Sequence, residues 1–175
     1  MKNSMIRSSG GFTLIELLVT LAILAVLGAM SVPVAQVAMQ RQKEQQLKSA
    51  LREIRSAIDA YKRASDEGLL EEVEDSNGYP ANLDLLVEGV ARRELQTKPL
   101  KGRSVGNRSA GSKIYFLRRV PRDPMNEQAG LTATQTWAKR SFTSEARNPV
   151  EGDDVYDIHS MSSKRGLDGT LYSDW

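Results

Sequence analysis

The stretch from Phe12 to Val32 constrains this chain more than any other, because in its 21 residues Glu16 is the only charged side chain. As a helix it spans about 31 Å at 1.5 Å per residue, close to the thickness of a bilayer's hydrocarbon core. The residues before it, MKNSMIRSSGG at 1–11, carry Lys2 and Arg7 and no acid. A basic flank stays on the cytoplasmic side, so the remainder of the chain is expected to lie across the membrane. After Gln40 the sequence turns polar and mixed.

Three fates fit such a segment. It is a signal peptide cleaved after the apolar run, where Ala29-Met30-Ser31 offers small residues at the two positions a cut needs. Or it is a plain, uncleaved anchor. Or the chain is cut before the run, which then becomes the mature N-terminus. Glu16 discriminates among them. A charge at the centre of a membrane helix costs about 2.5–3.5 kcal/mol on insertion scales, and less near an end. The first two fates give the carboxylate no role. A cut between Gly11 and Phe12 creates an amine on Phe12, and Glu16 then lies about 6 Å further along the helix axis. When identical helices stack with an axial offset, Glu16 of one meets the Phe12 amine of its neighbour. Low dielectric favours that pair over two lone charges.

The residues GFTLIELLVTLAILAVLGAMSVP, beginning at Gly11, closely resemble the prepilin motif of type IV pilins and type II secretion pseudopilins. The resemblance implies that prepilin peptidase cuts after Gly11 and methylates the new N-terminus at Phe12. It implies that Glu16 serves recruitment and registration during assembly, and that Pro33 kinks or locally melts the helix. Chemistry supports the last point on its own, since proline removes a helical hydrogen bond and clashes with the preceding turn. Pro33 is also readable as the end of the membrane helix, and the two readings are compatible. Loss of the leader takes Lys2 and Arg7 from the 24 cations and leaves 22 against 22 acids, so the exported part has no charge surplus.

From Val34 the chain keeps a helical character. Leu47, Leu51, Ile54, Ile58 and Tyr61 recur at spacings of three and four, widened by Ala50 and Ala57, as one apolar stripe. The opposite face carries Lys43, Glu44, Lys48, Arg52, Arg55 and Lys62, with Glu44 and Lys48 as an i,i+4 pair. A helix from about Thr13 to Ser65 is expected, stopped by Gly68. The stripe lasts about two heptads, which favours packing under a head over a coiled-coil seam. Asn77-Gly78 and Pro80 mark a turn. Asn82 caps a short helix through Glu88, with Leu83, Leu86 and Val87 inward and Gly89 closing it. Residues 98–113 form a Gly/Ser-rich loop with five basic residues and no acid, read as solvated for want of interleaved aromatics. Three strands are expected at 114–120 (IYFLRRV), 136–142 (TWAKRSF) and 154–161 (DVYDIHSM), the last with Val155, Tyr156, Ile158 and Met161 alternating with polar residues. The economical fold class is α+β and pilin-like. A long N-terminal helix, transmembrane in its first half and amphipathic in its second, carries a three-stranded antiparallel sheet as a small head. The organisation expected is a leader at 1–11, a transmembrane and filament-core helix at 12–33, an amphipathic periplasmic helix at 34–67 and a globular head at 68–175.

The head resembles the G-type major pseudopilins of type II secretion through YPANLDLLV, YFLRRVPRDPMN, DVYDIHS and the terminal GLDGTLYSDW. The absence of cysteine agrees, because many type IV pilins close a C-terminal loop with a disulfide. It also excludes a disulfide framework, a zinc–thiolate site and a cysteine nucleophile. The resemblance implies one calcium ion in the last loop. Here that loop reads SMSSKRGLDGTLYSDW, where Asp168 and Asp174 are its only carboxylates, Lys164 and Arg165 oppose a cation, and Ser160 is a possible helper. Arg165 paired with Asp168 would replace the ion. No cofactor is expected, and calcium is kept as the weaker reading. His159 is the single histidine and is given no catalytic role; Asp154 and Asp157 are read as solvation of a strand edge.

The function implied is structural and non-enzymatic. The resemblance implies a single-pass inner-membrane protein with its head in the periplasm, polymerised into a type II secretion pseudopilus that helps export folded proteins across the outer membrane. Its partners are prepilin peptidase, further copies of itself, other pseudopilins and the inner-membrane assembly platform; nucleic acid is not among them. Two alternatives stand. One is an adhesive or DNA-uptake pilin, contacting DNA through Lys101, Arg103 and Arg108. The other is a soluble exported binding protein released after Ser31.

Overall fold

A computed structural model describes residues 11–71, 76–93, 112–145 and 148–175. The leader up to Gly10 and most of the basic loop, including Lys101, Arg103 and Arg108, lie outside the described residues. The chain divides into two compact units after Arg41. Helix α1, Leu14–Asp66, is 53 residues long and runs through both.

In the second unit the apolar stripe of α1 is the floor of the core. Leu47, Ile54 and Ile58 are fully buried, and Ala50, Leu51, Ala57, Tyr61 and Ala64 are nearly so. Each Leu or Ile sealed in this way contributes roughly 1.5–3 kcal/mol relative to exposure. The helix stops where Gly68 takes φ +67°. The Gly68 N–H bonds the Ser65 carbonyl at 2.9 Å and the Leu69 N–H reaches back to Ala64 at 2.9 Å. This double closure satisfies carbonyls that a helix end otherwise orphans.

Beyond α1 the elements are short. Helix α2, Asp84–Glu88, begins where Asn82 Oδ1 accepts the Leu85 N–H at 3.0 Å. Leu83 and Leu86 point into the core. Gly89, at φ +74°, ends it. Strand β1, Val90–Ala91, pairs antiparallel with β2, Lys113–Ile114. Leu70 bridges Arg92 on the other side of β1. Strand β3, Trp137–Arg140, follows a 3-10 turn at Thr134–Thr136 and pairs antiparallel with β4, Asp157–Ser160, from Trp137↔Ser160 to Arg140↔Asp157. A second 3-10 turn, Tyr172–Asp174, ends the described chain.

The α+β class and the long helix with small antiparallel pairing are as expected. The single three-stranded sheet is not: two separate two-stranded sheets stand in its place. The segment 114–120 is extended only at Ile114. The N–H groups of Phe116 and Leu117 both donate to the Leu86 carbonyl, at 3.0 and 2.9 Å, so they serve the end of α2 and no strand ladder. That turn lays the Phe116 ring 5.2 Å from Tyr61 and buries Leu117. The strand expected at 154–161 is shorter, and Met161 is exposed instead of sharing the inward face of Val155 and Ile158.

A buried polar knot joins the linker before β3 to β4. Asp123 is 1% exposed. Its carboxylate accepts the Ser160 hydroxyl at 2.6 Å and the Met125 N–H at 2.8 Å, while its own N–H donates to Thr136 Oγ1 at 3.1 Å. Trp137 Nε1 donates to the Pro121 carbonyl at 2.8 Å. These bonds hold VPRDPMN as an ordered strap against the sheet, because each buried polar group there must find a partner.

Candidate functional site

The first unit carries the features that point to function. Gly11, Phe12 and Thr13 are non-helical and lead into α1. Thr13 Oγ1 accepts the Glu16 N–H at 3.3 Å, and the Thr13 carbonyl accepts the Leu17 N–H at 3.2 Å. Thr13 is thus the N-cap and Glu16 the third helical residue, the T-x-x-E pattern of a capping box. A carboxylate in the first turn is also favoured by the helix macrodipole. The motif reading does not call for Thr13, yet its signature was present in the spacing of Thr13 and Glu16.

Two glycines show which constraints come from inside the fold and which from outside it. At Gly89 a Cβ would lie 2.8 Å from the Tyr115 ring, on a backbone already at φ +74°, so the head itself demands glycine there. At Gly11 a Cβ would meet nothing within 4 Å. The fold places no demand on Gly11, and it stands in open chain beside Phe12, which is 82% exposed.

From Leu14 to Leu27 the large apolar side chains of α1 are exposed in the single chain. The most apolar window of the helix has a mean hydropathy of 2.5, and none of it is buried, so α1 is long and apolar enough to cross a membrane. Pro33 lies inside α1. Having no N–H, it leaves the Ala29 carbonyl without its helical donor. Glu16, Phe12, Gly11 and Pro33 therefore share one solvent-exposed segment that makes no core of its own.

The last loop was the candidate metal site, and its two carboxylates each accept hydrogen bonds from neighbours in the loop, Asp174 from the Ser173 hydroxyl at 3.3 Å and Asp168 from Thr170. Asp168 Oδ1 accepts both the Thr170 N–H at 3.0 Å and the Thr170 hydroxyl at 2.6 Å. Those bonds, the stronger being that of the hydroxyl, hold its carboxyl below the usual range. Arg165 donates to the Gly169 carbonyl at 2.7 Å, where the sequence suggested a pair with Asp168. Ser160 spends its hydroxyl on Asp123. Among the described residues no three His, Asp or Glu side chains come together. A hard cation needing six to eight oxygens does not fit this donor set.

The loop is instead fastened to α1 by residues that look like a solvated face in the sequence. Glu44 Oε1 accepts the Leu167 N–H and the Tyr172 hydroxyl, both at 2.9 Å. Arg55 donates to Asp157 at 2.7 Å, to the Trp175 carbonyl at 2.8 Å and to the Ile158 carbonyl at 2.9 Å. Lys48 Nζ sits 4.1 Å over the Trp175 ring. Asp157 is therefore a docking partner and not strand-edge solvation. Asp154 is likewise buried. Burial alone would push its carboxyl up, but bonds from Asn77, the Phe142 N–H and Ser141 outweigh that and hold it below the usual range. His159 is half-buried on β4 with Nδ1 3.2 Å from the Ser160 carbonyl.

Residues 6–32 match the family model described as the prokaryotic N-terminal methylation motif. The match takes in Gly11, Phe12, Thr13 and Glu16 and stops one residue before Pro33. No curated protein and no solved structure matches the chain.

Proposed function

We propose that this chain, which carries the type IV pilin-like, prepilin-processed signature at its N-terminus, is a structural subunit of a type II secretion pseudopilus. Prepilin peptidase cuts between Gly11 and Phe12 and methylates Phe12. Nothing among the described residues constrains Gly11, which leaves that position to be set by the peptidase. Once in the filament, the apolar side chains from Phe12 to Val32 pack against those of neighbouring copies, and Glu16 meets the Phe12 amine of one of them. Pro33 is the point at which the helix yields during assembly. The observation that carries this reading is the exposed apolar half of α1 with a lone carboxylate in its first turn, inside the methylation motif. Left in water such a surface would aggregate, and left in lipid the carboxylate would lack a partner. Assembly resolves both.

The choice of a secretion pseudopilus over an adhesive or DNA-uptake pilus rests on the head stretches quoted above and on the absence of cysteine. The head then faces outward from the filament, on the periplasmic side. Mass spectrometry of the mature chain tests the processing step. A methylated Phe12 N-terminus is expected, whereas Val32 as first residue would mean release as a soluble exported protein. Deleting the gene separates the two filament classes: loss of folded-protein export with surface pili intact supports secretion, and the reverse phenotype overturns it.

A further inference from the structure

Charge is segregated along the head. Residues 66–75 read DEGLLEEVED, six carboxylates and no cation in ten residues. Asp66 is paired with Lys62, but Glu67 and Glu71 are exposed, and their side chains have no hydrogen bond or ion pair among the described residues. They follow the C-terminal end of α1, where the macrodipole repels negative charge, so the head gains nothing from them where they stand.

Earlier on the same helix the sign reverses. An open cavity of about 710 Å³ lies between α1 and the last loop, lined by four cations, Lys48, Arg52, Arg55 and Arg165, by Trp175 and by two carboxylates, Asp168 and Asp174. Arg55 is neutralised by Asp157. Arg165 is bound to a carbonyl, which leaves its charge uncompensated. Arg52 is exposed and has no partner among the described residues.

We propose that this cavity receives the acidic stretch around Glu67 and Glu71 of a second copy of the chain. The inference rests on the filament reading above and adds to it a specific contact between heads. Each copy carries the two halves of the contact at different heights along α1, which makes the interface heterologous and lets it propagate as an open assembly instead of closing as a dimer. Fifteen residues of α1 and its end separate Arg52 from Glu67, which sets an axial offset of about 22 Å between the two copies at 1.5 Å per residue. The guanidinium forks of Arg52 and Arg165 match carboxylates in a way that an ammonium does not. A contact of this kind contributes register and rate of association more than total adhesion.

The chain has no cysteine, so introduced thiols report without background. In the full chain, expressed with prepilin peptidase and the assembly machinery, the pair Arg52→Cys and Glu71→Cys is expected to give a ladder of disulfide-linked copies in isolated filaments. Arg52→Glu alone is expected to cut filament yield roughly fivefold, and Glu71→Lys in the same chain to restore it. Both sites are exposed, and an unchanged melting temperature of the variants confirms that the head is intact. Filaments that form normally with Arg52→Glu, while Glu16→Ala abolishes them, overturn this contact and leave the filament reading standing. A loss that Glu71→Lys does not restore means a different occupant and also overturns it. A wild-type chain that forms no filament overturns both.

Discussion

The two halves of α1 are built from the same kind of backbone and meet opposite fates. Between Leu14 and Leu27 the large apolar side chains are exposed, and between Leu47 and Ala64 those of the stripe are sealed under the head. The first half is apolar all round and the second is apolar along one stripe, so the second needs a partner on one side and finds it within its own chain. The first needs partners on every side, and one chain cannot supply them. The comparison teaches that exposure in one half is an unmet requirement, while on the polar face of the other Glu44, Lys48 and Arg55 already tie down the C-terminal loop.

The largest effect is expected at the one charge in the exposed half. Glu16→Ala should leave membrane insertion intact, because the helix becomes more apolar, and should remove filaments from the sheared or pelleted fraction. Normal filaments in that variant would show that the carboxylate is not needed for registration and that the apolar surface alone drives the exposed half to its neighbours. In the sealed half, Ile54→Ala or Ile58→Ala should lower the stability of the head by about 2–5 kcal/mol in denaturant unfolding. Leu21→Ala, on the exposed half, should leave that value unchanged. Equal destabilisation by both would show that the apolar half has a partner within the single chain.

A smaller effect is expected at Arg55, whose three bonds tie α1 to β4 and to Trp175. Arg55→Ala should cost about 1–2 kcal/mol, the ion-pair share being reduced by solvent, and should speed proteolysis after Lys164. Arg55→Met with unchanged proteolysis would mean that the helix face holds the loop by packing alone. The smallest concerns acid. Because the Asp154 carboxyl is held below its ordinary 3.8 in the folded chain, the unfolded chain binds more protons between the two values. Its contribution is complete above about pH 4 and is lost as pH falls through the folded value. Asp154→Asn should therefore flatten the acid limb of a stability–pH profile, and a limb of unchanged slope would assign that loss to other carboxylates.

The parts of this fold that were legible in the sequence are those governed by short-range periodicity and capping. The stripe from Leu47 to Tyr61, the stop at Gly68 and the cap at Asn82 each depend on residues within a turn or two of each other. What was not legible depends on long separations. Glu44 and Arg55 look like surface charge because their partners lie more than 100 residues away. The segment IYFLRRV has the composition of a strand, but the Leu86 carbonyl claims two of its N–H groups, and no local pattern reveals that competition. At the N-terminus the motif identifies Gly11, Phe12 and Glu16 together, whereas Thr13 becomes visible through its bond to the Glu16 N–H.

That bond bears on the newly cut end. With Thr13 as the cap, a chain that begins at Phe12 has a single residue between its α-amine and the first helical turn. The amine is a positive charge set against the positive pole of its own helix. A protomer cut before Phe12, as proposed, would thus begin electrostatically frustrated, with a terminus that its own backbone repels. In the proposed filament a carboxylate delivered by the next protomer would relieve that repulsion, so proteolysis itself would arm the subunit for polymerisation.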